Sequence, residues 1–413
     1  MPLSSETRGV LVSAGLDPDA LVELVRRAVA EDLPEGLADS GVDTGELVDT
    51  GGPVDTGAPV ERGASAAGPV DPGVRRRGAV DTTSVAIVAP GLHGRGAIVA
   101  RARGVVAGLP VAAAVFEVVL AERYAVWHDS PGVHPRQDLP DVHLTGEISD
   151  EHTKAESGWT GGLDVEIIAS DGDRVSPGDA VLTVAGPVRA LLTAERTALN
   201  LLCHLSGVAT ATRRWVDAVD GTGVSIRDTR KTLPGLRALE KYAVRCGGGR
   251  NHRMSLADAA LVKDNHVVAA GGVAAAFAAV RARFPGLPIE VECDTVAQVA
   301  EAVTAGADLI LCDNMSLDDL RESVTIARPN GVELEASGGL TLDIARRVAE
   351  TGVNYLAIGA LTHSAPALDL GLDLDLNLNP DPDLAPGSDT DPGSDTDPGS
   401  SADPGLGTGS GTA

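Results

Sequence analysis

The feature that most constrains this chain is a regular alternation in its second half. The runs VSIRDTR, LVKDNH, IEVECD, LILCDN, VELEASGG and YLAIGAL are apolar and strand-like, and each ends in polar or glycine residues. Between the later ones lie AQVAEAVTAG, SLDDLRESVTIA and TLDIARRVAE, all with helical periodicity. Strands that alternate with helices of this length must pair in parallel through right-handed crossovers. Roughly six or seven such units are expected to close into a barrel, whose reactive groups belong at the carboxyl ends of its strands.

Those strand ends can be read directly. The first two carry cations: VSIRDTR ends in Arg230 with Lys231 just beyond, Lys263 lies in LVKDNH, and the intervening RCGGGRNHR supplies His252 and Arg253. The next two carry acids, Glu290, Glu292 and Asp294 in IEVECD and Asp313 in LILCDN; the last two end in the glycine-rich turns of Glu335, Ser337, Gly338, Gly339 and of Gly359. Arginine forks suit carboxylates, so the basic half implies a small polyanion. Glu292 and Asp313 on neighbouring strands could share a hard cation such as Mg²⁺ with a polyphosphate substrate. The terminal turns, with Ser337 and a following helix N-terminus, imply a monophosphate site. Each piece has a bland counterpart: SGG alone is an ordinary turn, lone strand-end acids are often solvated, and Cys293 and Cys312 read as core thiols.

Upstream the pattern is mixed. DPDALVELVRRAVAE predicts a helix capped by Asp17, SVAIVAP and GAIVARARGVVAG alternate in the manner of strands, VAAAVFEVVLAERYAV is helical, and LDVEIIASDGDRVSPGDAVLTVAG reads as short strands joined by tight turns. TAERTALNLLCHLSGVATATRRWVDAV predicts one long helix. Two segments interrupt this order. One is an acidic, Gly/Pro-rich insert at about 34–78, and the other is a polar stretch at about 128–162, whose His128, His134, His143 and His152 fit no standard metal spacing. The 374–413 tail repeats Asp, Pro, Gly and Ser, which predicts disorder. These segments carry most of the excess in a net charge of -26.

Composition narrows the partners. At 2% aromatic residues the chain lacks stacking platforms for single-stranded nucleic acid, so no nucleic-acid partner is expected. Four dispersed cysteines form no zinc spacing. No basic n-region with an apolar h-region opens the chain and no apolar run approaches bilayer length, which reads as cytoplasmic, with no membrane partner.

The strings TAERTALNLLCHLSG, DTRKTLPGLRALEKYAVRCGGGRNHR, LVKDNH, CDNMS, EASGG and IGALTHSAPALDLGLDL together resemble the quinolinate phosphoribosyltransferase family. The resemblance covers the helix near residue 20, about 80–127 and about 162–373. It implies an α/β fold: an N-terminal α/β sandwich plus a C-terminal open or incomplete (β/α) barrel, paired as a homodimer in which one sandwich covers the partner's barrel mouth. The corresponding divisions are 1–15 as an extension, 16–201 as the sandwich with its two inserts, 202–363 as the barrel, and 364–373 as a return segment. The implied reaction converts quinolinate and phosphoribosyl pyrophosphate to nicotinate mononucleotide, pyrophosphate and CO₂, with Mg²⁺. By the same resemblance Arg230, His252, Arg253 and Lys263 surround quinolinate, with Arg196 reaching in from the partner subunit. Lys231 stands near the reacting centre and pyrophosphate; Glu292 and Asp313 serve the ribose and Mg²⁺; Ser337, Gly338, Gly339, Gly359 and His363 surround the phosphates. Two other readings of the residues stay open: a barrel aldolase using Lys263 as a Schiff base, and a non-catalytic or transport-associated relative that binds small anions.

Overall fold

The computed structural model describes residues 2–33, 80–89, 91–124 and 162–376. The acidic insert, the stretch carrying His128, His134, His143 and His152, and the tail lie outside the described residues.

The N-terminal part is built on antiparallel pairing. β1 (His93–Ala100) leads through the short β2 (Gly104–Val105) to a helix at Leu109–Val119; β3 (Asp164–Ile167), β4 (Arg174–Val175) and β5 (Ala180–Pro187) follow. β1 lies between β5 and β12 (Leu370–Asp375), and β3 pairs with the far side of β5, so the sheet order is β12-β1-β5-β3. The helix LPVAAAVFEVV is apolar all round because it is enclosed on nearly every side, and only Glu117 is not fully buried. Its first amides are capped from a distance, since Asp171 accepts the N–H groups of Gly108 at 2.9 Å and Leu109 at 3.0 Å. The helix Pro18–Asp32 forms where its Asp17 cap predicts, with Asp17 accepting from the Asp19 and Ala20 amides. A further helix, Ser5–Ser13, precedes it and buries Leu11. One segment differs from the reading of the sequence: the SVAI of SVAIVAP lies on a short helix, Thr82–Ile87, rather than a strand. Its alternation is overridden by Asp81, whose side chain accepts the Ser84 N–H at 3.1 Å and starts the turn.

The second half is a six-stranded parallel sheet. In chain order its strands are β6 (Ser225–Arg227), β7 (Ala260–Val262), β8 (Ile289–Cys293), β9 (Leu309–Asp313), β10 (Glu333–Ser337) and β11 (Tyr355–Ala357). In space the order is β6-β11-β10-β9-β8-β7, so the sheet curls round with β6 and β7 as unpaired edges: an open barrel. Part of the gap is bridged by the RCGGGRNHR loop. The Arg250 N–H donates to Ile226 O at 2.7 Å, and the Asp228 N–H donates to Arg250 O at 3.2 Å.

One helix, Val188–Ala218, serves both parts. It runs without a break through residue 201, so the division expected there falls inside a continuous helix. Close approach to this helix explains the glycines of RCGGGRNHR better than freedom to bend does. A Cβ on Gly247 would lie 2.5 Å from Ala209 O, and one on Gly249 would lie 2.8 Å from Thr212 Cγ2. Only Gly248, with φ +88°, needs the left-handed region. Gly207, within the helix, meets the return segment so closely that a Cβ would sit 2.2 Å from Pro366 O. In an exposed helix Gly→Ala stabilises by about 1 kcal/mol. Here Gly207→Ala is expected to reverse that sign and destabilise by about 1–3 kcal/mol, measured by denaturant unfolding.

Candidate active site

The carboxyl ends of the barrel strands bring most of the expected residues into one mouth. Arg230 and Lys231 follow β6, Lys263 follows β7, Glu292 is the penultimate residue of β8, Asp313 ends β9 in register with Ser337 of β10, and Gly359 follows β11.

On the cationic side, Arg230 and Arg253 stand close enough that each opposes the other's charge. The Arg253 guanidinium is pushed below its ordinary value first by burial and then by Arg230. Arg253 Nη1 donates to Ala259 O at 2.8 Å, but the Nε of Arg253 and the Nε of Arg230 are both buried without a hydrogen-bond partner. Among the described residues no acid pairs with either guanidinium. Buried, unpaired donors of like charge are costly unless an anion completes them. Lys263 is half-exposed, and its ammonium lies 2.6 Å from Glu292 Oε2. That placement is unlike the apolar pocket that activates a Schiff-base lysine.

His252 does not join this open set. Its ring is buried, Nδ1 accepts the Arg253 N–H at 2.7 Å, and Nε2 lies 2.6 Å from Glu290 Oε2. With both nitrogens engaged, the imidazole has no free donor for a ligand, and it sets the Arg253 backbone instead of facing the mouth. Asn251 likewise turns inward, donating to Asp228 Oδ2 at 2.6 Å. Arg196 is exposed on the long helix and makes no hydrogen bond or ion pair among the described residues.

The phosphate-type turns form two neighbouring groups. Gly359 sits against Lys231, His363 and Thr229: an added Cβ would lie 3.1 Å from Lys231 Cδ and 3.4 Å from His363 Nε2. Next to it, Gly338 (φ +85°) and Gly339 (φ +59°) turn over Asn314, the one non-glycine with positive φ among the described residues. A Cβ on Gly338 would fall 2.3 Å from Asn314 Oδ1, so only glycine fits this left-handed turn. The helix expected to follow these turns begins only at Ala345 and spans five residues, and the helix after Gly359 spans four. Turn amides, rather than a helix end, are what this corner offers an oxyanion.

Glu292 and Asp313 each keep one carboxylate oxygen without a protein partner, because Lys263 holds Glu292 Oε2 and Asn314 Nδ2 donates to Asp313 Oδ2 at 2.7 Å. Two part-occupied carboxylates fit a Mg²⁺ ion that takes its remaining ligands from water and substrate. Among the described residues, the only His/Cys/Asp/Glu trio close enough to enclose a metal lies deeper: His252, Glu290 and Glu335, within 4.8 Å of one another. Arg227 Nη1 is 2.6 Å from Glu335 Oε2, a cation already in place, which makes this trio a poor metal site.

The sequence signalled Glu335 only as a strand-end acid and missed Arg227, Asp228 and Lys241. Charges inside otherwise apolar strand and helix faces were the available sign. Burial, and then the charge of Glu290, push the Glu335 carboxyl up to about 7. The folded protein therefore holds this proton more tightly than the unfolded chain. The stability it contributes is fully present below the ordinary value of 4.5 and is lost as pH rises through about 7. Glu335→Gln, which keeps a donor and an acceptor, removes that dependence. Its unfolding free energy relative to wild type should rise by up to about 3 kcal/mol from about pH 4.5 to 8, measured by urea denaturation at each pH.

Comparison with known proteins agrees with this geometry. The chain matches the quinolinate phosphoribosyl transferase N-terminal domain over residues 153–206 and the C-terminal domain over residues 208–373. A carboxylating nicotinate-nucleotide pyrophosphorylase of Mycobacterium leprae is 57% identical over 207 residues, which is 49% of this chain and 72% of that protein. The human protein of the same name is 39% identical over 256 residues, 60% of this chain and 81% of its own. The crystal structure of NadC from Streptococcus pyogenes superposes with a TM-score of 0.60 at 36% identity, covering 71% of this chain and 90% of that one. With the fold, the strand-end residues and these likenesses in agreement, the chain belongs to the quinolinate phosphoribosyl transferase family.

Proposed function

We propose that this chain transfers the phosphoribosyl group of phosphoribosyl pyrophosphate to the ring nitrogen of quinolinate, releasing pyrophosphate and CO₂ and leaving nicotinate mononucleotide. The observation that carries this reading is the pair Arg230 and Arg253, whose buried Nε groups have no partner within the chain. A rigid dicarboxylate supplies two anionic groups to such a pair with bidentate geometry. The name of the Mycobacterium leprae relative, a nicotinate-nucleotide pyrophosphorylase, points to the same product.

The residues then divide the work by position. Arg230 and Arg253 orient the dicarboxylate so that its nitrogen faces the anomeric carbon, an orientation effect. Lys231, which lies beside Gly359 and His363, would offset the charge that departing pyrophosphate gains. Ser337, Gly338 and Gly339 offer turn donors to the 5′-phosphate. Glu292 and Asp313 would hold Mg²⁺, which neutralises pyrophosphate charge when bound. As the nitrogen–carbon bond forms, the bond from the anomeric carbon to the pyrophosphate oxygen breaks, and positive charge passes to the ring. The pyridinium then accepts the electron pair left when the adjacent carboxylate departs as CO₂, and that carbon is reprotonated. Nothing in this sequence needs a covalent enzyme nucleophile.

The exposed, unpartnered Arg196 supports a homodimeric site in which this side chain enters the partner's barrel mouth. Among the described residues no single helix is long and apolar enough to cross a membrane.

The decisive assay supplies quinolinate labelled in the departing carboxylate, phosphoribosyl pyrophosphate and Mg²⁺, and measures CO₂ release and mononucleotide together. Absence of both products would refute the assignment. Arg230→Ala should raise the KM for quinolinate by about 100-fold or more with little change for phosphoribosyl pyrophosphate; an equal loss for both would remove its role. Mixing inactive Arg196→Ala and Lys263→Ala subunits should restore part of the activity, and no recovery after confirmed subunit exchange would count against the shared site.

A further inference from the structure

Close in sequence to both arginines is an ion pair with no solvent contact. The side chains of Asp228, just past β6, and Lys241, on the helix Arg237–Cys246, are both fully buried and bonded to each other. Burial pushes both toward neutrality, the Asp228 carboxyl up and the Lys241 ammonium down, while each partner's charge opposes this. Their remaining bonds all go to one short stretch of chain. Asp228 Oδ1 accepts the His252 N–H at 2.7 Å, and Lys241 Nζ donates to His252 O at 2.9 Å. Asn251 Nδ2 donates to Asp228 Oδ2 at 2.6 Å and to Lys241 O at 2.8 Å. The peptide groups on both sides of His252 are therefore gripped, one by the carboxylate and the other by the ammonium.

A buried ion pair can often be replaced by well-packed apolar side chains with no loss of stability. Stability alone does not account for two charges at this point in the barrel; directional bonds to the His252 backbone do. Arg230 lies two residues beyond Asp228, and Arg253 directly follows His252. The same pair thus fixes the origins of two guanidinium groups that repel each other. Arg250 is held separately by its backbone bonds to Ile226 and Asp228, so without such a tether it is the segment from 251 to 253 that would be free to relieve the repulsion by moving Arg253 away.

We propose that Asp228 and Lys241 are positioning residues for dicarboxylate recognition, holding Arg230 and Arg253 at the spacing the substrate needs before it arrives. The inference rests on the reading of those two arginines as the quinolinate site.

The test compares steady-state KM values for both substrates, with thermal unfolding, in wild type, Asp228→Asn/Lys241→Met and Asn251→Ala. The double variant removes both charges at nearly constant volume. It should unfold near the wild-type midpoint, raise the quinolinate KM by about 10-fold or more, and leave the phosphoribosyl pyrophosphate KM within about 2-fold. A quinolinate KM within about 2-fold of wild type, or an equal rise for both substrates, would overturn the proposal. Should the double variant fail to fold, Asn251→Ala leaves the ion pair in place and cuts one tether. A quinolinate-specific rise of about 3-fold or more then supports the inference, and unchanged values overturn it. If wild type itself shows no saturable use of quinolinate, the functional reading falls first, and that result is distinct from a wild type that saturates beside an unaffected variant.

Discussion

The structure depends on how closely other segments approach one helix. Val188–Ala218 buries Leu191, Ala194, Ala198, Leu205, Val208 and Ala209 in the core; Gly108 of the N-terminal part comes against Leu205, and Gly247 of the barrel part against Ala209. The approach is close because the opposing backbones have shed their side chains. Gly247 and Gly249 lie against Ala209 and Thr212, Gly207 lies under Pro366, and Gly104 meets Thr210. A chain with 2% aromatic residues cannot fill wide gaps, so it closes them by bringing backbones together over Ala, Val and glycine. The glycine run also lays the Arg250 backbone along β6, and from there the Asn251–Arg253 segment begins. Helix packing and the geometry of the basic rim are in this way one constraint.

The mouth of the barrel combines unequal electrostatic situations. Glu292 and Lys263 satisfy each other in partial contact with water, where an ion pair exchanges readily for a ligand. Arg227 and Glu335 form a more buried pair, in which Glu335 has no solvent contact and keeps its Oε1 without a partner. Arg230 and Arg253 differ from both, with Nε groups buried like those of a core pair yet unpartnered. The two arginine Nε groups lack an acceptor, while Glu290 Oε1 and Glu335 Oε1 are buried carboxylate oxygens without a donor, so unmet donors and acceptors both remain at this end of the barrel. Preorganised donors of this kind need no rearrangement when charge arrives.

Much of this was legible in the sequence because alternation reports topology. Runs such as IEVECD and LILCDN occur as parallel strands in the expected places, and their terminal acids reach the mouth, because strand polarity alone decides which end carries them. Local pattern failed where long-range contacts decide. SVAIVAP alternates like a strand, but Asp81 caps its SVAI into a helix, and the Arg189 side chain, 101 residues away, holds the Val88 carbonyl behind it at 2.8 Å. His252 reads as a rim residue from its place in NHR, yet it turns inward because Asp228 and Glu290 lie against it, and nothing in the nine residues of RCGGGRNHR announces that. Glycines are ambiguous for the same reason: one letter serves a left-handed turn at Gly338 and a flat contact at Gly247, and only the neighbouring chain distinguishes them.

The pairing of β12 with β1 joins residues far apart in the chain, down to an ion pair between Arg101 and Asp373, 272 residues apart. The whole barrel is thus threaded between two adjacent strands of the N-terminal sheet. During synthesis β1 can find β5 early, but its other edge stays open until every barrel strand has left the ribosome. An unpaired edge is a template for pairing with a neighbouring chain, and closing so long a loop is slow. The nascent N-terminal sheet therefore keeps one edge unpaired while the barrel is being made, the condition under which chains of this size are most open to misassembly.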